Sequence, residues 1–165
     1  MHDQALAFYR SHLAGLPPLK VVEFGSCDIN GSVRSVYPQA ASWLGVDVQP
    51  GRGVDLVADA ATWVTRTRYD IVICAEAFEH TASWPEIIGT ARAVLKAGGL
   101  FLASCATGNR PAHSATDGGP LRPGEHYANV DPDLLKSGLT KWTEYDVIEA
   151  DGHYGGDDLY LRAVK

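Results

Sequence analysis

The chain of 165 residues has little cysteine, no long apolar run and no excess of basic residues. Its cysteines are Cys27, Cys74 and Cys105. An odd number at wide spacing excludes a disulfide framework and fits a reducing compartment. No Cys-x-x-Cys pair is present to hold zinc. His113 with Asp117, and Glu125 with His126, are near in sequence but form no ligand set, so no metal is expected. No stretch reaches the roughly 18 to 20 apolar residues of a membrane span. The start, Met1-His2-Asp3-Gln4, lacks the basic and apolar regions of a secretion signal, so a cytoplasmic location is expected. Net charge is −6, with a sequence pI of about 5.4. Basic residues cluster no further than Arg66 and Arg68, which argues against a nucleic-acid partner and for a small-molecule one.

The length fits one domain over residues 1–165 with one core. A helical segment over residues 3–14 ends at Gly15 and Pro17-Pro18. Short apolar runs then alternate with polar, glycine-containing turns. Strands are expected at Leu19 to Phe24, Trp43 to Val48, Val54 to Val57, Tyr69 to Cys74, Leu100 to Ser104, Tyr145 to Ala150 and Leu159 to Val164. Helices are expected at Ser32 to Tyr37, Ala61 to Thr67, Trp84 to Leu95 and Pro132 to Ser137. Residues 106–130, rich in Gly, Pro, Asn, Asp and His, read as a long loop that lies over the cleft as a lid or substrate loop. The pattern predicts an α/β fold with a mostly parallel, doubly wound sheet. The connection from Gly152 to Asp158 is too short for a crossover, so the last two strands should pair antiparallel.

In such sheets ligands bind beyond the carboxyl ends of the strands. Four turns there carry chemistry. Glu23, Gly25 and Ser26 follow the first strand, and Gly25 admits close backbone approach. Asp47 and Val48 end the second strand, about 20 residues past the glycine turn, where an acid suits ribose hydroxyls. Asp59 and Ala60 follow the third; Asp59 can accept from an adenine amino group or cap the next element. Ala75, Glu76, Glu79 and His80 follow the fourth strand, and His80 is a candidate base near neutral pH. His113 joins it as a candidate from the long loop. A dinucleotide site would have Gly-x-Gly-x-x-Gly to admit a pyrophosphate. Here Cys27 and Asp28 occupy that stretch, which fits a phosphate-free, cationic cofactor such as S-adenosylmethionine better than NAD.

Taken in order, these motifs resemble those of class I S-adenosylmethionine-dependent methyltransferases. The segment Tyr69-Asp70 through Glu79-His80 and the turn Leu95-Lys96-Ala97-Gly98-Gly99-Leu100 belong to the same resemblance. The compact first loop and Gly51-Arg52-Gly53-Val54-Asp55 are similar to a group of small, single-domain methyltransferases from actinobacteria and their phages. The resemblance implies seven Rossmann-like strands, the last antiparallel. It implies Glu23, Gly25 and Ser26 at the methionine end of the cofactor, Asp47 and Val48 at the ribose, Asp59 and Ala60 at the adenine, and Ala75 and Glu76 near the sulfonium. The expected activity is methyl transfer to an oxygen or nitrogen of a small-molecule acceptor. A non-catalytic cofactor binder and an NAD-dependent oxidoreductase are the competing readings; the second lacks its glycine motif and a Tyr-x-x-x-Lys pair. The chain also departs from the family: the usual later glycines are replaced by Cys27 and Ile29.

Overall fold

A computed structural model describes residues 1–151 and 157–165. Seven strands form one sheet in the order β3-β2-β1-β4-β5-β7-β6. They are β1 (Lys20–Phe24), β2 (Ser42–Asp47), β3 (Leu56–Val57), β4 (Tyr69–Ala75), β5 (Leu95–Thr107), β6 (Glu144–Asp151) and β7 (Asp157–Val164). The first five run parallel, β7 is antiparallel to β5, and β6 is antiparallel to β7. The expected Rossmann-like sheet is therefore present. The connection read at Gly152 to Asp158 lies largely outside the described residues.

Successive residues of a strand point to opposite faces, and here both faces are covered. Val21, Ile71, Ile73 and Leu102 pack with Ala5, Tyr9 and Leu13 of α1 (Asp3–Leu13) on one face. Val22, Val72, Cys74, Phe101 and Ala103 pack with Ile87, Ile88, Ala91 and Val94 of α2 (Trp84–Val94) on the other. Leu135 of α3 (Pro132–Ser137) joins that second face. Double coverage explains why the central strands are nearly all apolar.

Three expected elements differ. The helix expected from Ser32 is a single 3-10 turn, Val33–Val36, with the Ser32 side chain accepting from the Arg34 amide. No helix forms at Ala61 to Thr67. Asp59 closes a turn there by accepting from the Ala61 amide at 2.9 Å, and the β-branched Thr62, Val64, Thr65 and Thr67 disfavour continuing it. Strand β5 is longer than read. Leu95 already pairs with Tyr69, the register then shifts, and Leu100 pairs with Ile71. Gly98-Gly99 therefore kinks this strand and does not simply stop α2. The strand also runs on through Thr107, so the irregular loop starts at residue 108.

Candidate active site

The carboxyl ends of β1, β2 and β4 open into one cavity of about 1020 Å³. Glu23, Gly25, Ser26, Asp47, Val48, Asp59, Ala60, Ala75, Glu76, His80 and His113 all line it. The parallel register explains the convergence, since Phe24 lies beside Val46 on one side and Cys74 on the other. The turns that follow these strands must meet.

The first turn is built around Gly25, at φ 70°, and a Cβ there would lie 2.7 Å from that of Ala77. The Gly25 and Ser26 amides both donate to the Val46 carbonyl, at 2.9 and 3.2 Å. Cys27 and Ile29 are tolerated where the family has glycines because other contacts hold the loop. Asp28 accepts from the Gly31 amide at 2.9 Å and pairs with Arg52 at 2.9 Å. The Asp28 amide donates to the Arg52 carbonyl at 2.8 Å. Gly53, at φ 86°, passes so close beneath that a Cβ would reach the Ser26 carbonyl at 2.7 Å. The segment Gly51 to Asp55 thus props the first loop from below.

Glu23 is buried and accepts from the Trp43 indole at 2.9 Å. Burial pushes its carboxyl up to about 7 against the pull of that hydrogen bond. The Ser26 hydroxyl is buried with no hydrogen-bond partner among the described residues. Asp47 accepts one backbone amide on each oxygen, from Cys27 at 3.1 Å and Gln49 at 3.0 Å. A carboxylate oxygen has two lone pairs, so both retain capacity for hydroxyl donors.

Glu76 is the one non-glycine residue with positive φ (52°) among the described residues. Its amide donates to the Ser104 carbonyl at 2.8 Å, and its carboxylate lies 3.2 Å from the Arg110 guanidinium and 3.8 Å from the His2 ring. Positive φ is uncommon for a residue with a side chain, and the Ser104 hydrogen bond and the Arg110 ion pair hold Glu76 there. Behind it, Asp158 is fully buried and pairs with both Arg110 and, at 2.9 Å, His2. Burial opposes protonation of His2, but the Asp158 and Glu76 carboxylates raise its pKa on balance. His2 and Arg110 line the cavity yet were not singled out from the sequence. Their partners are distant in the chain, and a lone His near the start or a lone Arg in a loop carries no local signal.

At the far side His80, His113 and Tyr127 group their rings. Centroids are 5.0 Å apart for the two histidines, 5.5 Å for His80 and Tyr127, and 4.9 Å for His113 and Tyr127. Burial, and then His113, push His80 down to about 4, so its ring is neutral at pH 7. The loop that carries His113 is pinned by Glu125, which accepts from Ser114 Oγ at 2.7 Å, Thr116 Oγ1 at 3.0 Å and the Arg122 amide at 2.8 Å. Glu125 and Asp117 are thereby engaged in the loop itself, Asp117 with Arg122.

A profile of the methyltransferase-domain family matches residues 6–150. The chain belongs to that family. It carries a methyltransferase domain over most of its length. Solved structures agree on the fold. The N-methyltransferase NodS of Bradyrhizobium japonicum, in complex with S-adenosylhomocysteine, superposes with a TM-score of 0.64 at 16% identity, over 98% of this chain and 84% of that one. A methyltransferase structure from Bacillus halodurans gives 0.69 at 17% identity over 99% of both chains. The 1,6-didemethyltoxoflavin-N1-methyltransferase of Burkholderia thailandensis, with 1,6-didemethyltoxoflavin and S-adenosylhomocysteine bound, gives 0.67 at 16% identity, over 99% of this chain and 77% of that one. No curated protein matches the chain. Among the described residues no helix of this methyltransferase is long and apolar enough to cross a membrane.

Proposed function

We propose that the methyltransferase moves the methyl group of S-adenosylmethionine to an oxygen or nitrogen of a small-molecule acceptor, as one domain acting in the cytoplasm. The observation that carries this reading is the single cavity into which all eleven candidate residues open. Its volume, about 1020 Å³, is at the upper end of the roughly 300 to 1,000 Å³ typical of small-ligand sites. A cofactor and a modest acceptor fit in it together. In this reading Glu23, Gly25 and Ser26 hold the methionine end, with the unpartnered Ser26 hydroxyl as a donor. Asp47 and Val48 take the ribose, Asp59 and Ala60 the adenine, and Ala75 and Glu76 face the sulfonium. His80 and His113 lie at the acceptor end, under the loop that begins at residue 108, and activate the acceptor atom there.

The chemistry asks mainly for alignment. A lone pair on the acceptor attacks the methyl carbon, the carbon–sulfur bond breaks, and its electron pair stays on sulfur. The acceptor's proton leaves to solvent or to a neighbouring base. The net acidity of the protein, −6, disfavours a polyanionic acceptor. The test is a transfer assay with methyl-labelled S-adenosylmethionine against panels of small hydroxyl and amine compounds, RNA, DNA and protein. Label appearing on small molecules supports the proposal. Label appearing on polymers alone overturns it.

A further inference from the structure

His80 and His113 line the acceptor end of the cavity, and Glu79 lies buried directly behind them. Glu79 sits one turn past Glu76 and is fully buried, and among the described residues its carboxylate oxygens meet no side-chain partner, only off-angle backbone amides of Glu79 and Ala106. His80 Nδ1 is buried and equally unpartnered. Buried polar atoms without a well-formed hydrogen bond are rare and costly. Three of them side by side call for a ligand. His113 supplies the next observation. Its Nδ1 lies 3.1 Å from the Pro111 carbonyl, which can only accept. The proton is therefore on Nδ1, and Nε2 keeps its lone pair. A backbone carbonyl that fixes the tautomer of a histidine is the usual support of a metal-binding imidazole. One ligand atom each from Glu79, His80 and His113 lies within 4.8 Å of the others.

We propose that Glu79, His80 and His113 bind one first-row divalent cation, best fitted by zinc, at the acceptor end of the cavity. Two imidazoles and one carboxylate suit zinc, whereas magnesium and calcium prefer all-oxygen sets. Three protein ligands leave a fourth tetrahedral position open, as in catalytic zinc sites. Ligand atoms about 2.1 Å from one ion stand about 3.4 Å apart. Closing from 4.8 Å takes a shift of roughly 1 Å, within the reach of side-chain rotation at the half-buried His113. A second cluster, His2, Glu76 and Asp158, has comparable spacing but already faces the Arg110 guanidinium, which repels a cation. The inference deepens the methyl-transfer reading and rests on it only for the chemistry of the open position. An acceptor hydroxyl bound there loses its proton to water and its oxygen takes the methyl carbon. The carbon–sulfur bond breaks as the oxygen–carbon bond forms, its pair stays on sulfur, and S-adenosylhomocysteine is released.

The test is calorimetric titration of chelator-stripped protein with zinc chloride at neutral pH, with S-adenosylhomocysteine binding measured on the same samples. One zinc per chain is expected. The His113→Ala variant, altered at a half-buried loop position, should bind zinc at least tenfold more weakly while its affinity for S-adenosylhomocysteine stays within about twofold. Glu79→Gln should lose zinc as well; should that buried substitution fail to fold, His113→Ala carries the test alone. Absence of zinc binding, or equal zinc affinity in wild type and His113→Ala, overturns the site. Loss of S-adenosylhomocysteine binding with zinc binding intact would overturn the cofactor reading and leave the metal site standing.

Discussion

At the residue scale, Asp47 and Glu23 do different work with the same functional group. Asp47 has each oxygen fixed by one backbone amide and is left able to accept two hydroxyls. Asp47→Ala should weaken S-adenosylhomocysteine binding by about 1 to 3 kcal/mol, the loss expected for a charged hydrogen-bonding partner. Isothermal titration checks it, and unchanged affinity would remove Asp47 from the ribose. Glu23 is instead pushed up to about 7 from an ordinary value of 4.5. The folded state therefore holds the Glu23 proton more tightly than the unfolded chain does. The stability this contributes is full below about pH 4.5 and is lost as pH rises through about 7, on the order of 3 kcal/mol in all. Glu23→Gln keeps an acceptor for the Trp43 indole but cannot ionise. Urea unfolding should show wild type losing stability between pH 5 and 8 relative to this variant. A constant difference across that range would show that Glu23 is not buried as a neutral acid. Most site residues at this scale were legible because each follows an apolar strand whose end is easy to locate. His2, Arg110 and Asp158 were not, because their ion pairs join residues far apart in sequence, His2 with Asp158 across nearly the whole chain and Arg110 with Asp158 across 48 residues.

At the element scale, the decisive piece is the turn after β1. Gly25 combines positive φ with contact on Ala77, so Gly25→Ala meets two separate penalties. Non-glycine strain of this kind costs about 1 to 3 kcal/mol, and the clash adds to it. Adding Ala77→Gly should recover only the clash. Thermal unfolding of the single and double variants checks this, and full recovery in the double variant would mean that φ at residue 25 is not constrained. The same turn shows why a missing glycine motif need not mean a missing site. Asp28, Arg52 and Gly53 hold the loop in place of the absent glycines, by contacts a motif search cannot see. The helix expected at Ala61 to Thr67 failed for the opposite reason. Its apolar spacing is compatible with a helix, but its β-branched residues and the Asp59 turn decide otherwise. The β5 kink was hidden because Gly98-Gly99 after a helix reads first as a helix stop.

At the scale of the whole molecule, the mostly parallel, doubly covered sheet with its antiparallel end was legible from the alternation of apolar strands and connections, whereas the strand order β3-β2-β1-β4-β5-β7-β6 was not. Parallel apolar strands demand cover on both faces, and α1 on one side with α2 and α3 on the other provide it. The short final connection demands an antiparallel pair, and β6 with β7 provides it. Such a sheet puts its ligand site beyond the carboxyl ends of its strands, and a cavity is found there. The acceptor was not legible, because the loop that meets it is shaped by side-chain contacts such as those of Glu125, not by a repeating pattern. The central claim is that this cavity is built for the adenosyl cofactor and not for a dinucleotide. Calorimetric titration of the purified protein with S-adenosylhomocysteine, with NAD run alongside, tests it most directly. The account predicts micromolar binding of S-adenosylhomocysteine and no binding of NAD; NAD binding with none for S-adenosylhomocysteine would contradict it.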